Sequence, residues 1–151
     1  MNLQFIQIDS ASAESAKALL VLAQLDQDFF PQPWDKESWM KLSESKFLLG
    51  LHKDGEVAGF SLFDISFVDS FAHLLKILTV PSLRGLGLGK NLLNESIKQL
   101  KDRGIREFFL EVEEGNLAAI HVYEESGFKI IHRKKHFYSN GADALIMTLS
   151  L

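Results

Sequence analysis

The chain contains no cysteine, so disulfides, thiolate metal sites and a cysteine nucleophile are excluded within it. It has no apolar run approaching the ~18 residues of a membrane-spanning helix. Its first residues carry no basic segment followed by an apolar one, as a secretory leader would. A soluble, cytoplasmic protein with no membrane partner is therefore expected. Basic charge is not in excess: 16 Lys and Arg stand against 20 Asp and Glu, for a net charge of −4. That balance argues against nucleic acid as a partner and suits a cationic one. His52, His121, His132 and His136 show no ligand spacing with carboxylates, so no metal is expected. No repeat, low-complexity tract or linker divides the chain.

What is present is apolar patterning. The 151 residues are 46% hydrophobic, enough for one domain spanning 1–151 with a sizeable core and too few for two. Leu3 to Ile8 alternates apolar and polar residues, a half-buried strand. Ala16, Leu19, Leu20 and Ala23 recur at helical spacing over Ala11 to Leu25, with Ser10 as cap. Phe29 to Pro33 breaks that helix, and a second, short helix is expected from Asp35 to Glu44. Phe47–Leu51 and Val57–Ile65 read as strands joined by a turn at Lys53-Asp54-Gly55. Phe71–Val80 is almost continuously apolar, as a central buried strand is.

Helical spacing returns from Leu88 through Leu100 and stops at Arg103-Gly104. Ile105–Val112 is the next strand, Asn116–Glu125 a short helix with its stop at Gly127. Phe128–Tyr138 and Ala144–Leu149 are expected as an antiparallel pair across Ser139-Asn140-Gly141. The order strand, helix, strand from Phe71 to Val112 makes its two strands parallel neighbours. Ligands in such units gather at the C-terminal strand ends. Arg84–Lys90 and Glu111–Asn116 both fall there.

The run Arg84-Gly85-Leu86-Gly87-Leu88-Gly89-Lys90 opens the long helix. Glycines at alternate positions leave backbone N–H groups unshielded, and the helix points its positive end at them, so the run can cradle a pyrophosphate. It is not a P-loop: Arg84 stands where the first glycine belongs, and Asn91 where the magnesium-binding hydroxyl belongs. It is not a dinucleotide fingerprint either, because Lys90 occupies the place of the third glycine. It fits Arg-x-x-Gly-x-Gly, read as Arg84, Gly87 and Gly89. By itself the run is either such a cradle or a glycine-rich turn.

Three matches resolve that choice. The run resembles the coenzyme A pyrophosphate signature of the GNAT superfamily of acetyl-CoA-dependent N-acetyltransferases. Leu110-Glu111-Val112, Asn116 and Ala119-Ile120-His121-Val122-Tyr123-Glu124-Glu125-Ser126-Gly127-Phe128 resemble a block of its RimI-like branch, which acetylates protein N-termini. Pro33-Trp34, with Trp39, is a third match. The resemblance covers the chain from about Pro33 onward. It implies an α/β (α+β) GNAT-like domain: a mixed, mostly antiparallel sheet of about seven strands with a central parallel pair, flanked by about four helices.

The same resemblance implies acetyl transfer to a primary amine by direct attack, with acetyl-CoA as co-substrate. The acceptor is first a protein or peptide N-terminal α-amine. A small amine, a polyamine or an aminoglycoside-like compound, is the alternative, and a non-catalytic acyl-CoA-binding sensor a third reading. The oligomeric state is monomer or homodimer. The main chain of Ile77, Leu78 and Thr79 is expected along the pantetheine arm, with an amide of Leu78 or Thr79 facing the oxyanion. The amides of Leu86 to Lys90 hold the pyrophosphate, and Arg84 and Lys90 add charge, Lys90 being equally readable as a solvated helix-start residue.

The resemblance assigns Tyr123 the role of general acid: with a free thiol near ~8.5 and a tyrosine near ~10, a positioned phenol is expected to protonate the departing thiolate. It could also pack in a stripe with Ile120 and Phe128. Glu111 is the candidate base, or else a strand glutamate bonded to a neighbour. Asn116 is expected at the coenzyme arm and as a helix cap. Trp34, Glu111, Phe137 and Tyr138 are expected at the acceptor. Phe137 stands where the branch has the first of two tyrosines, and Glu113 also departs from the branch pattern. Glu111, Glu113 and Glu114 form an acidic rim or a solvated loop. His73, on the central strand, is either a satisfied core histidine or a base.

Overall fold

Backbone pairing organises the computed structural model, which describes residues 2–9 and 13–151. The cap expected at Ser10 lies outside them. The elements are β1 (Leu3–Ile8), α1 (Ala13–Phe29), α2 (Lys36–Met40), β2 (Lys46–Lys53), β3 (Glu56–Ser66) and β4 (Phe71–Thr79), then α3 (Leu88–Asp102), β5 (Glu107–Glu113), α4 (Leu117–Glu125), β6 (Lys129–Lys134) and β7 (Ala144–Ser150). One 7-stranded sheet runs in the order β1-β2-β3-β4-β5-β7-β6. Every neighbouring pair is antiparallel except β4 and β5. Among the described residues no helix is long and apolar enough to cross a membrane.

The period-2 alternation of the strands splits the core in two. On one face Phe47, Leu49, Phe63, Phe108 and Leu110 meet Leu88, Leu92 and Leu93 of α3 and Ile120 and Tyr123 of α4. On the other, Leu48, Phe60, Leu62 and Leu78 meet Leu19 and Leu22 of α1 and Trp39 of α2. Trp39 is fully buried and stands edge-on to Phe60, ring centroids 5.4 Å apart. The buried hydroxyls of Ser61 and Ser96 satisfy one another at 2.7 Å across the first face.

Three boundaries differ from the expectation. The first helix runs on to Phe29, because proline constrains only the residue just before it and Pro31 lies beyond. The second helix is shorter, Lys36–Met40, capped by Asp35, whose carboxylate accepts from Ser38 N at 2.7 Å. Ser43 to Lys46 closes a backbone turn instead of continuing it, as serines that compete for local hydrogen bonds promote. The third concerns the last two strands. They pair from Lys129↔Thr148 to Lys134↔Ala144, so residues 135–143 form a long connection rather than a tight Asn-Gly hairpin. Gly141 N does bond Tyr138 O at 2.9 Å, a local turn inside that connection.

β4 carries one residue more than its partner: Leu62 faces Lys76 while Phe63 faces Leu74, which leaves Leu75 as a bulge. A bulge reverses which residues point to which face. It turns Lys76 toward α1. Nearby, Gly59 lies so close to β4 that an added Cβ would sit 2.4 Å from the Leu78 carbonyl oxygen. Gly59→Ala is expected to force β3 and β4 apart at a cost of about 1–3 kcal/mol, read as a lower urea midpoint at unchanged m-value.

Candidate active site

The parallel pairing of β4 and β5 covers only Phe71↔Glu107, Ala72↔Phe108 and His73↔Phe109. Beyond His73 both strands continue, β4 held by β3 and β5 by β7, so they part and leave a fork. On the α3/α4 side of the fork is a cleft of about 450 Å³. Ile77, Leu78, Thr79, Arg84, Gly85, Gly87, Leu88, Gly89, Lys90 and Tyr123 all line it, joined by Leu83, Ala118, Ala119 and Val122. Of the residues expected at the coenzyme, Leu86 and Asn116 are not part of this lining. Leu86 is exposed, and Asn116 caps α4, its Oδ1 accepting from Ala119 N at 3.3 Å.

Gly85 and Gly87 adopt φ of 84° and 74°, conformations that L side chains rarely take, and no heavy atom lies within 4 Å of where their Cβ atoms would be. The loop therefore offers bare backbone to open space at the start of α3, whose first N–H groups have no helical acceptor. Such a cradle fits a pyrophosphate. Arg84 folds back on it: its Nε donates to Thr79 O at 3.1 Å and its guanidinium lies 5.9 Å from the Phe29 ring. Lys90 pairs with Glu125 at 2.6 Å, tying α3 to α4.

Tyr123 reaches the cleft from α4 and is 8% exposed. It also packs with Ile120 and Phe128 in the core, so the apolar stripe and the place at the cleft coexist. Burial, with a lesser push from Tyr138, raises its phenol to about 12. It therefore holds its proton throughout the neutral range.

The other face of the fork is polar. Leu110 and Val112 point into the α3/α4 core, so alternation sends Phe109, Glu111 and Glu113 the opposite way. Glu111 Oε1 lies 3.0 Å from His73 Nε2, and the His73 ring leans on Phe109 at 4.4 Å. Tyr138 is half-buried, its phenol pushed up by burial and by the carboxylates of Glu111 and Glu113. Phe137, partly exposed, stands edge-on to Tyr138 at 5.0 Å. Glu114 is not a free rim charge, since Arg133 pairs with both Glu114 and Asp143.

Trp34 lies in the α1–α2 connection and belongs to a cluster that the sequence reading missed. Asp26, fully buried, accepts from Trp34 N at 2.8 Å, from Trp39 Nε1 at 2.8 Å and from Lys76 Nζ at 2.6 Å. The Lys76 ammonium also sits 4.8 Å from the Phe30 ring and 5.5 Å from Trp34. One signal was available: a lysine inside an almost continuously apolar strand. Gln32 of the same connection bonds Ser139 at 3.1 Å, which joins it to the 135–143 connection carrying Phe137 and Tyr138.

Comparison with known proteins identifies the family of this chain and its fold. The sequence profile of the Acetyltransferase (GNAT) family fits residues 15–128. A [ribosomal protein bS18]-alanine N-acetyltransferase of Salmonella typhimurium is 31% identical over 132 residues, 85% of this chain and 88% of the relative. An N-alpha-acetyltransferase of Sulfurisphaera tokodaii is 32% identical over 109 residues, 65% of each chain. The crystal structure of the ribosomal-protein-S18-alanine N-acetyltransferase from Escherichia coli superposes with a TM-score of 0.86 at 26% identity, covering 99% of this chain and 94% of that one. The seven-stranded mixed sheet with its one parallel pair is the architecture the resemblance implied. The chain belongs to the GNAT family and is an acetyl-CoA-dependent N-acetyltransferase.

Proposed function

We propose that this chain, as one N-acetyltransferase domain over residues 1–151, acetylates the α-amine of a protein N-terminus. The observation that carries the reading is the fork itself: the glycine cradle and Tyr123 line one side, while Glu111 points to the other. A thioester lying through the fork would meet an amine arriving at Glu111. The relatives supply the acceptor class, since their names specify alanine of ribosomal protein bS18 and the alpha nitrogen. A polyamine would favour a free acidic rim, yet Arg133 occupies Glu114 and His73 adjoins Glu111.

In this reading Glu111 takes one proton from the incoming ammonium. The free amine attacks the thioester carbonyl, the C–N bond forms, and an amide of Leu78 or Thr79 supports the oxyanion. The C–S bond then breaks, the nitrogen loses its second proton, and one proton returns to sulfur. With Tyr123 near 12 and a free thiol near ~8.5, full transfer from Tyr123 to a free thiolate would be uphill by about 5 kcal/mol. Tyr123 accordingly acts as a hydrogen-bond donor that strengthens as charge grows on sulfur.

The test offers acetyl-CoA with an alanine-initiated peptide, the same peptide blocked at its N-terminus but bearing a free lysine, and spermidine. Products are mapped by mass spectrometry. Label on the α-amine is expected. Label confined to lysine or spermidine would refute the acceptor assignment.

A further inference from the structure

We infer that His73 is a positioning residue for Glu111, holding the carboxylate at the fork and relaying the proton it collects; the inference rests on the acetyl-transfer reading above. His73 is the last β4 residue paired with β5, so its ring stands at the point where the strands separate. Glu111 lies two residues beyond Phe109, the partner of His73, and alternation puts both side chains on the same face. Nε2 approaches Oε1 to 3.0 Å but off the line of a hydrogen bond, and that buried nitrogen has no aligned hydrogen-bond partner. A buried polar atom without a bond in a folded protein calls for an explanation. The tilted contact of the ring with Phe109 at 4.4 Å limits its freedom, so a small turn of the Glu111 carboxylate is the motion that would complete the bond.

Charged groups surround this pair. Asp64 of β3 is the registered partner of His73 on its other side, and Lys46 of β2 pairs with Asp64 at 3.1 Å. Glu111 faces it from β5, and Tyr138 lies near both Glu111 and Glu113. A proton moves from the acceptor nitrogen to a Glu111 oxygen and from there to Nε2. The imidazolium so formed lies beside Asp64 and Glu111; it loses the proton on its other nitrogen, Nδ1, to solvent from the part-exposed ring, and exchange between the two ring nitrogens restores the starting tautomer. Nothing is consumed, and Glu111 is returned as a carboxylate for the next amine.

A double-mutant cycle tests this. His73→Phe keeps an aromatic ring against Phe109, and His73→Gln keeps a donor that can hold Glu111 but cannot relay. Acting through Glu111, His73→Phe is expected to lower kcat on an alanine-initiated peptide by about 10- to 100-fold, with the KM for acetyl-CoA unchanged. His73→Gln recovers part of that loss. In a Glu111→Gln background, His73→Phe has no further effect. Melting curves for each variant establish that it is folded, and if His73→Phe does not fold, His73→Gln alone completes the cycle. Additive losses, or a folded His73 variant with wild-type kcat, would overturn the inference. A Glu111→Gln enzyme as active as wild type would overturn the assignment of Glu111 itself, and His73 with it.

Discussion

Tyr123→Phe is expected to lower kcat by about 10²- to 10³-fold, the range for losing one preorganised hydrogen-bond donor to developing charge, while acetyl-CoA binding stays within about twofold of wild type. The substitution removes one oxygen. The ring keeps its contacts with Ile120 and Phe128 in the core, so a loss of kcat could not be ascribed to misfolding. Acetyl-CoA affinity is expected to persist because the cradle residues Arg84 to Lys90 are untouched. Rapid mixing followed by acid quench separates the chemical step from product release. An unaltered kcat would show that the thiolate leaves without help from this phenol.

The pH dependence carries a matching expectation. Burial raises the phenol to about 12, above the ~10 of an exposed tyrosine. A raised phenol favours the neutral folded form, so its contribution to stability is complete below about pH 10 and is lost as pH rises toward 12. Ionisation of Tyr123 therefore cannot produce an alkaline fall in activity below about pH 10. A fall seen between pH 8 and 9 would have another origin.

The second large effect is structural. Lys76→Met is expected to destabilise the fold by about 3–5 kcal/mol and to lower Tm by roughly 10 °C. The side chain is buried among Phe30, Trp34 and Asp26, and methionine preserves most of that packing. What it removes is the counter-charge of a carboxylate that is fully buried. Trp34 N and Trp39 Nε1 still donate to Asp26, but two neutral donors do not replace an ammonium at 2.6 Å. Because Asp26 anchors the Trp34 backbone, loosening it should also raise the KM for a peptide acceptor and leave that for acetyl-CoA alone. Adding Asp26→Asn to Lys76→Met is expected to restore part of the stability, since the unpaired charge is then gone. Urea unfolding of the two single variants and the double variant measures this directly.

The parts of the site governed by local periodicity were legible in the sequence. Leu110 and Val112 alternate with Glu111, which was enough to aim that carboxylate away from the α3 core. The strand–helix–strand order was enough to bring Arg84–Lys90 and Glu111 to the same strand ends. Asp54 and Gly55, with φ of 50° and 85°, form the expected β2–β3 turn. What could not be read depends on register. The bulge at Leu75 has no local signature, yet it decides that Lys76 faces α1. Asp26 is hidden because the helical spacing of Ala16, Leu19, Leu20 and Ala23 supports a helix only to Leu25, one residue short of it. The Asn140-Gly141 pair does turn the chain, but side-chain bonds place that turn within a longer connection: Asp143 accepts from His136 N at 3.0 Å and Asn140 from Ala142 N at 2.9 Å. The approach of His73 to Glu111 depends on where β4 and β5 stop pairing, which is equally invisible from one strand alone.

In the proposed function, cradle and acceptor site meet through the β4–β5 fork, with Tyr123 and Glu111 on either side of the reacting carbon. The most direct measurement is calorimetric binding of coenzyme A joined by an acetyl bridge to the α-nitrogen of a short alanine-initiated peptide, beside coenzyme A alone and a spermidine conjugate. A conjugate that fills both halves is expected to bind the peptide form at least ~10²-fold tighter than coenzyme A, with the spermidine form close to coenzyme A itself. A peptide conjugate no tighter than coenzyme A, or a spermidine conjugate that exceeds it, would contradict the account.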